Sequence, residues 1–328
     1  MKKLGYRIYR KSPKPFKRGF KFIKKNLFEK KTTNSFLRVA QKGAKNLDRL
    51  LSSKGMEYVS FQDMVTLCDA LLPKLGRNFD VIVGIPGSGL LVANILSLKL
   101  GKPLTTPENV KTHWLSKSIE LQISRTPTIL LVDDSYQSGA SMMEAFNSLV
   151  LSGVPRGNIK TAALITSRKG VKELDHYCLE INEKRLFEWN LVHKKMNVVT
   201  DLDGVLCEDP PEDARIDDAE YERWITSAKP LVIPTFKINT ILTSRIEKYR
   251  NQTESWLKDQ GVKYGRLVMS IEDTREAQKK AGLVHKVKEI NELHPEIYWE
   301  SGSREARELL PLIQCPILVF EEKIILSK

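Results

Sequence analysis

Two acid pairs carry the chemistry that the 328-residue chain can offer. Asp133 and Asp134 follow the apolar run Thr128 to Val132 and precede the turn Gln137-Ser138-Gly139-Ala140-Ser141. Asp201 and Asp203 bracket Leu202 after the run Asn197 to Thr200, with Gly204 behind them. In open α/β sheets, ligands bind at the carboxyl ends of strands, which is where these patterns place both pairs. The turn Gln137 to Ser141 opens a helical pattern, so backbone N–H groups, two hydroxyls and the helix dipole make an anion site there. An anion site beside two acids suits a ligand with both a phosphate and sugar hydroxyls. The acids can accept hydrogen bonds from a ribose diol or act through a hydrated magnesium ion. In the second pair, one carboxylate can attack phosphorus, while the other protonates the leaving oxygen and later activates water.

The elements that must hold these residues alternate between strand and helix. Residues 61–76, 88–101 and 138–152 read as helices, and 80–84, 128–132 and 160–166 as strands. Residues 102–126 are polar and interrupted by Thr-Pro pairs, which reads as a long loop or an irregular hairpin. The alternation restarts after the paired lysines Lys194 and Lys195. There the strands are 197–202, 238–243, 266–269, 297–300 and 316–320, and the helices 217–228, 247–260, 283–293 and 303–310. This order predicts an α/β chain of two parallel-sheet domains, at 35–195 and 196–328.

Residues 1–34 form a separate arm. Residues 1–31 hold thirteen Lys or Arg against the single Glu29, which is a net +12 of the chain's +13. Phe16, Phe20, Ile23 and Leu27 recur at helical spacing among Lys17, Arg18, Lys21, Lys24 and Lys25. An apolar stripe with a lysine-rich back fits an anionic membrane surface better than nucleic acid. A basic tail, or a helix docked on the body, is the plainer alternative. No apolar run of membrane-spanning length and no secretory signal pattern is present, and Cys68, Cys178, Cys207 and Cys315 have no metal-ligand spacing. The expectation is a cytoplasmic protein held peripherally at the inner membrane, with no nucleic-acid partner.

The first constellation resembles the type I phosphoribosyltransferases. In that family a strand, two acids and a Thr/Ser-Gly turn hold the ribose and 5-phosphate of phosphoribosyl pyrophosphate (PRPP). By that resemblance Asp133 and Asp134 hold the diol, and Gln137, Ser138, Gly139, Ala140 and Ser141 hold the phosphate, with Ser138 where the family usually has threonine. Val83 to Gly89 resembles the pyrophosphate loop, which implicates Pro86, Gly87, Ser88 and Gly89, although the basic residue often found there is absent. Loop 102–126 takes the place of the family's flexible loop, with Lys111, His113, Lys117 and Arg125 as pyrophosphate contacts. The stretch Asp175 to Asn190 resembles a closing segment where an acceptor hood would sit, and Asp134 or Glu188 would be the base that activates an alcohol acceptor.

The second constellation is similar to the haloacid dehalogenase (HAD) phosphatases. That resemblance makes Asp201 the nucleophile and Asp203 the acid/base, and it makes Asp201, the Asp203 carbonyl and Glu300 the ligands of Mg2+. Thr243, in Ile241-Leu242-Thr243-Ser244-Arg245, matches the hydroxyl that holds the phosphate, with Ser244 beside it. Lys286, read as opening the helix 286–293, matches the phosphate-neutralising lysine, with Lys279 and Lys280 as weaker contenders. The fourth motif usually has two acids; here Glu300 is followed by Ser301, which would hold a metal-bound water. About 35 residues separate Asp203 from the strand at 238–243, so the cap is minimal and the site open.

The pairing resembles the two-domain ribofuranosyltransferases of bacterial polysaccharide assembly. It implies transfer of 5-phosphoribose from PRPP to a lipid-linked glycan acceptor with inversion and pyrophosphate release. Removal of the phosphate would then leave a β-ribofuranosyl residue in an O antigen or capsule. A nucleobase phosphoribosyltransferase with a fused nucleotidase is the alternative, and a non-catalytic nucleic-acid-binding regulator a third reading.

Overall fold

The computed structural model describes residues 55–110 and 127–328. The arm at 1–34, together with Lys111, His113, Lys117 and Arg125, lies outside the described residues, as do the side chains of Lys279 and Lys280. The described chain begins with β1 (Glu57–Val59), α1 (Phe61–Leu75), β2 (Val81–Gly84), α2 (Ser88–Leu100) and β3 (Leu104–Thr105). It continues with β4 (Ile129–Tyr136), α3 (Ala140–Leu151), β5 (Ile159–Thr166) and β6 (His176–Glu180). Contacts gather Val65–Ile181 into one compact unit, and Asn182–Lys328 with residues 55–64 into another. This division falls between Ile181 and Asn182, ahead of the boundary read at Lys194 and Lys195.

The first unit holds a parallel sheet in the order β3-β2-β4-β5-β6. Its central strands are apolar runs because both faces are covered; Ile129 to Val132 are fully buried. β4 runs on to Tyr136, so Asp133 and Asp134 lie within the strand rather than after it. On one flank β5 stays paired as far as Thr166 opposite Tyr136, whereas on the other β2 ends with Gly84 opposite Val132. The acids therefore lack a strand neighbour on the β2 side, where the turn into α2 packs against Asp133 instead. α2 is closed by Gly101, whose left-handed backbone (φ 63°) lets its N–H reach the Ser97 carbonyl.

The second unit continues with β7 (Arg185–Phe187), β8 (Val198–Thr200), α4 (Glu212–Ile216), α5 (Asp218–Ser227) and β9 (Ile238–Ile246). Then come α6 (Arg250–Asp259), β10 (Tyr264–Ser270), α7 (Arg275–Leu293), β11 (Ile297–Glu300), α8 (Ser303–Leu309), β12 (Ile317–Val319) and β13 (Ile324–Leu326). The sheet order is β10-β9-β8-β11-β12-β13, with only β13 antiparallel to its neighbour. β8 is thus central, and the strands beside it, β9 and β11, bring further side chains to the same carboxyl edge. β1 pairs with β7 in a separate two-stranded parallel ribbon. Asp217 caps α5 by accepting the Glu220 N–H at 2.9 Å, and Trp256 Nε1 of α6 donates to the Ala228 carbonyl at 2.8 Å. The segment 204–237 between β8 and β9 is accordingly small, two short helices held against α6.

Candidate functional site

In the first unit Gly89 fastens the two sequence patterns together. A Cβ at Gly89 would stand 2.9 Å from Asp133 Oδ1 and 3.0 Å from the Val132 carbonyl, so only glycine lets the first turn of α2 lie against the acid-bearing part of β4. Gly87, at φ 99° and ψ −133°, adopts a backbone that glycine alone takes readily, and it aims the N–H groups of Ser88 and Gly89 outward as a helix begins. Gly139 stands at φ 85° ahead of α3, with the Tyr136 ring where a side chain would be. The Ala140 N–H donates to Ser138 Oγ at 3.3 Å, and Lys169 Nζ donates to the Ser138 carbonyl at 3.1 Å. Beside this turn lies a cavity of about 620 Å³, lined among others by Ser138, Gly139, Ala140 and Lys169.

Asp133 and Asp134 are both buried near the end of β4, and their carboxyl groups interact with each other. Asp133 Oδ1 accepts the Asp134 N–H at 2.9 Å. Burial first, and then the negative charge of Asp134, push the Asp133 carboxyl up to about 8. A buried acid held this way gains from a partner that supplies hydrogen-bond donors or positive charge. The structure thus brings Asp133, Asp134, Pro86 to Gly89 and Gln137 to Ser141 to the carboxyl edge of one sheet. Glu188 is different. It groups with the second unit, where Lys323 Nζ stands 2.6 Å from its Oε1 and the Phe61 N–H donates to its Oε2 at 2.7 Å. Its Oε2 holds the start of α1 and its Oε1 pairs with Lys323, and a proton-accepting role does not fit a carboxylate so occupied.

In the second unit Lys286 is the hub. It is buried inside α7, well past the first turn that the sequence pattern suggested. Its ammonium lies 2.8 Å from Asp201 Oδ2, 3.1 Å from Glu300 Oε2 and 2.7 Å from Glu305 Oε1. Burial alone would lower its pKa, but Asp201, Tyr298, Glu300 and Glu305 more than offset that and hold it well above the ordinary lysine value. Asp201 follows β8 directly; its N–H donates to the Trp299 carbonyl, and its Oδ1 accepts the Leu202 N–H at 2.7 Å. Thr243, on the neighbouring β9, is buried. Ser244 lines a cavity of about 480 Å³ together with Gly282, Leu283, Gly302, Arg304 and Glu305.

Glu300 is fully buried. Its Oε1 accepts the Ser301 N–H, the Ser301 hydroxyl and the Gly302 N–H, while its Oε2 takes Lys286 and the Tyr298 hydroxyl. The Ser301 hydroxyl donates to Glu300, which leaves its oxygen as an acceptor. The residue that the sequence reading missed is Glu305. It approaches from the first turn of α8, five positions after Glu300, across the strand-to-helix turn Ser301-Gly302. The signal was present as a second acid just beyond β11. Asp201, Glu300 and Glu305 supply oxygen ligands only, the donor type a hard divalent cation such as Mg2+ prefers. Among the described residues no three acids, histidines or cysteines are grouped as a ready-made cage; these acids converge on Lys286 instead.

Comparisons with known proteins bear on the first constellation. Residues 61–200 match the model of the phosphoribosyl transferase domain, a match that stops one residue before Asp201. The chain is 30% identical over 96 residues to orotate phosphoribosyltransferase of Cenarchaeum symbiosum, which covers 28% of this chain and 48% of that protein. It is 30% identical over 118 residues to orotate phosphoribosyltransferase of Staphylothermus marinus, covering 35% and 56%. The chain thus spans about half the length of these curated relatives. Among solved structures, purine phosphoribosyltransferase from Pyrococcus horikoshii aligns with a TM-score of 0.33 at 23% identity, over 42% of this chain and 94% of that one. Residues 61–200 are thus similar to a phosphoribosyltransferase domain, and the described chain has an α/β fold with parallel sheets. No helix among the described residues is long and apolar enough to cross a membrane.

Proposed function

We propose that the chain transfers 5-phosphoribose from PRPP to a hydroxyl of a glycan acceptor and then removes the 5-phosphate. The observation that carries this reading is the second carboxyl edge, where Asp201, Asp203, Thr243, Lys286, Glu300 and Glu305 gather around the end of β8. The sheet order, with the nucleophile's strand central, also supports a HAD-like phosphatase in residues 196–328. A phosphatase behind the transferase suits a product that must lose its phosphate, as a ribofuranose installed in a polymer must.

In the first step, Asp133 and Asp134 hold the ribose diol while Gln137 to Ser141 and the start of α3 hold the 5-phosphate. The N–H groups of Ser88 and Gly89, at the start of α2, receive the departing pyrophosphate. The acceptor oxygen displaces it at C1 with inversion through an oxocarbenium-like transition state. Asp134 would serve as base, since Glu188 is engaged elsewhere. In the second step, Asp201 attacks phosphorus while Asp203 protonates the leaving ribose oxygen; Asp203 then takes a proton from the water that releases phosphate from Asp201, and Thr243 and Lys286 hold the phosphoryl oxygens. Asp201, the Asp203 carbonyl, Glu300 and Glu305 would hold Mg2+, which adds positive charge against the phosphate. The basic arm would keep the enzyme at an anionic membrane surface beside a lipid-linked acceptor.

The orotate phosphoribosyltransferase relatives favour a second reading, a nucleobase phosphoribosyltransferase fused to a nucleotidase. One assay separates the two. PRPP is supplied with a panel of glycan and nucleobase acceptors, and pyrophosphate release and product mass are followed. A ribosylated glycan, which keeps its phosphate when Asp201→Asn is used, supports the first reading. Turnover with free bases alone removes it.

A further inference from the structure

Asp203 is not free to turn. Arg245 Nη2 donates to its Oδ1 at 2.6 Å, and Arg245 Nε lies 3.1 Å from Oδ1 and 3.3 Å from Oδ2. Cys207 Sγ adds a third donor to Oδ1 at 3.3 Å. Oδ1 is saturated, and Oδ2 keeps a single long contact.

The guanidinium is itself fixed. Arg245 is buried at the end of β9, two residues beyond Thr243, and its N–H donates to Thr243 Oγ1 at 3.2 Å. Its Nη1 donates to Thr253 Oγ1 of α6 at 3.2 Å, its Nη2 reaches Cys207 Sγ at 3.4 Å, and it lies 5.0 Å above the Trp224 ring of α5. A planar fork pinned by two helices and a turn sets the plane of the carboxylate it grips.

We propose that Arg245 is the positioning residue for proton transfer in the second step: it occupies Oδ1 of Asp203 and leaves Oδ2 as the oxygen that carries the proton to and from the leaving group. The inference rests on the phosphatase reading of the second unit. It predicts a selective defect. An alkyl phosphate needs its leaving oxygen protonated, whereas p-nitrophenyl phosphate releases a stable phenolate without a proton. A residue that only stabilises the fold affects both alike.

The test uses the full chain with Mg2+, and ribose 5-phosphate and p-nitrophenyl phosphate as substrates. For Arg245→Gln, kcat on ribose 5-phosphate falls about 100-fold, the scale of general acid catalysis, with a much smaller fall on p-nitrophenyl phosphate. Added to Asp203→Asn, Arg245→Gln causes no further loss on ribose 5-phosphate, because both changes remove one function. Equal losses on the two substrates, or additive losses in the double variant, overturn the proposal. Thr253→Val, which loosens the guanidinium from the far side, serves if Arg245→Gln does not fold. It shows the same selectivity at smaller size, and its absence there overturns the proposal too. A wild-type chain that releases phosphate from neither substrate removes the phosphatase reading itself, and this proposal with it.

Discussion

At the scale of single residues, the two sites keep their acids in opposite ways. Asp133 is buried beside another acid, whereas Asp201 and Glu300 are buried around a lysine that the half-exposed Glu305 also reaches. The pH consequence for Asp133 follows from its position. Its carboxyl is raised from 3.8 to about 8, so the folded chain keeps a proton that the unfolded chain has already released. Between those values the unfolded state binds fewer protons, and stability falls as pH rises from about 4 to about 8, then levels off. Asp133→Asn removes that slope: urea midpoints of variant and wild type measured at pH 5 and pH 9 diverge, the variant gaining at the higher pH. Lys286→Met has the opposite character. It leaves two fully or nearly fully buried carboxylates without their cation, a change that costs about 3–5 kcal/mol in comparable buried pairs and is read as a lower denaturation midpoint.

At the scale of elements, the positions of the acids depend on unequal strand lengths. β4 outruns β2 at Val132, and the gap is filled by the turn into α2 with Gly89 against Asp133. Gly89→Ala drives a methyl group into a backbone carbonyl and a carboxylate oxygen, which costs about 1–3 kcal/mol as overpacking and displaces Asp133. The expected outcome is a raised KM for PRPP in pyrophosphate-release assays, with ribose 5-phosphate hydrolysis unchanged. Most helices and strands were legible from period and glycine stops, because apolar spacing and turn chemistry are local. β1, β3, β6, β7 and β13 were not; β6 lay inside the segment Asp175 to Asn190, and the others are two or three residues long. The length of α7 was also hidden. Its first half is polar and lacks the apolar period of a buried face, so the pattern placed Lys286 at a start when it lies deep inside.

At the scale of the whole molecule, two compact units each bring an acid pair to the carboxyl edge of a parallel sheet. The two steps are therefore separable by substitution. Asp134→Asn abolishes pyrophosphate release from PRPP and leaves hydrolysis of ribose 5-phosphate intact; Asp201→Asn does the reverse. A variant at either position that abolishes both activities would contradict two independent sites. The acid pairs, their glycine turns and the strand–helix alternation were determined by sequence alone, because each is a local arrangement of charge, backbone freedom and apolar period. The partners of those acids were decided by the tertiary structure. Lys286 meeting Glu305, Arg245 gripping Asp203 and Glu188 turned to Lys323 each join residues on different elements. A single chain records no such distance, so only the packing of β8, β9, α7 and α8 against one another could bring those charges within hydrogen-bond reach.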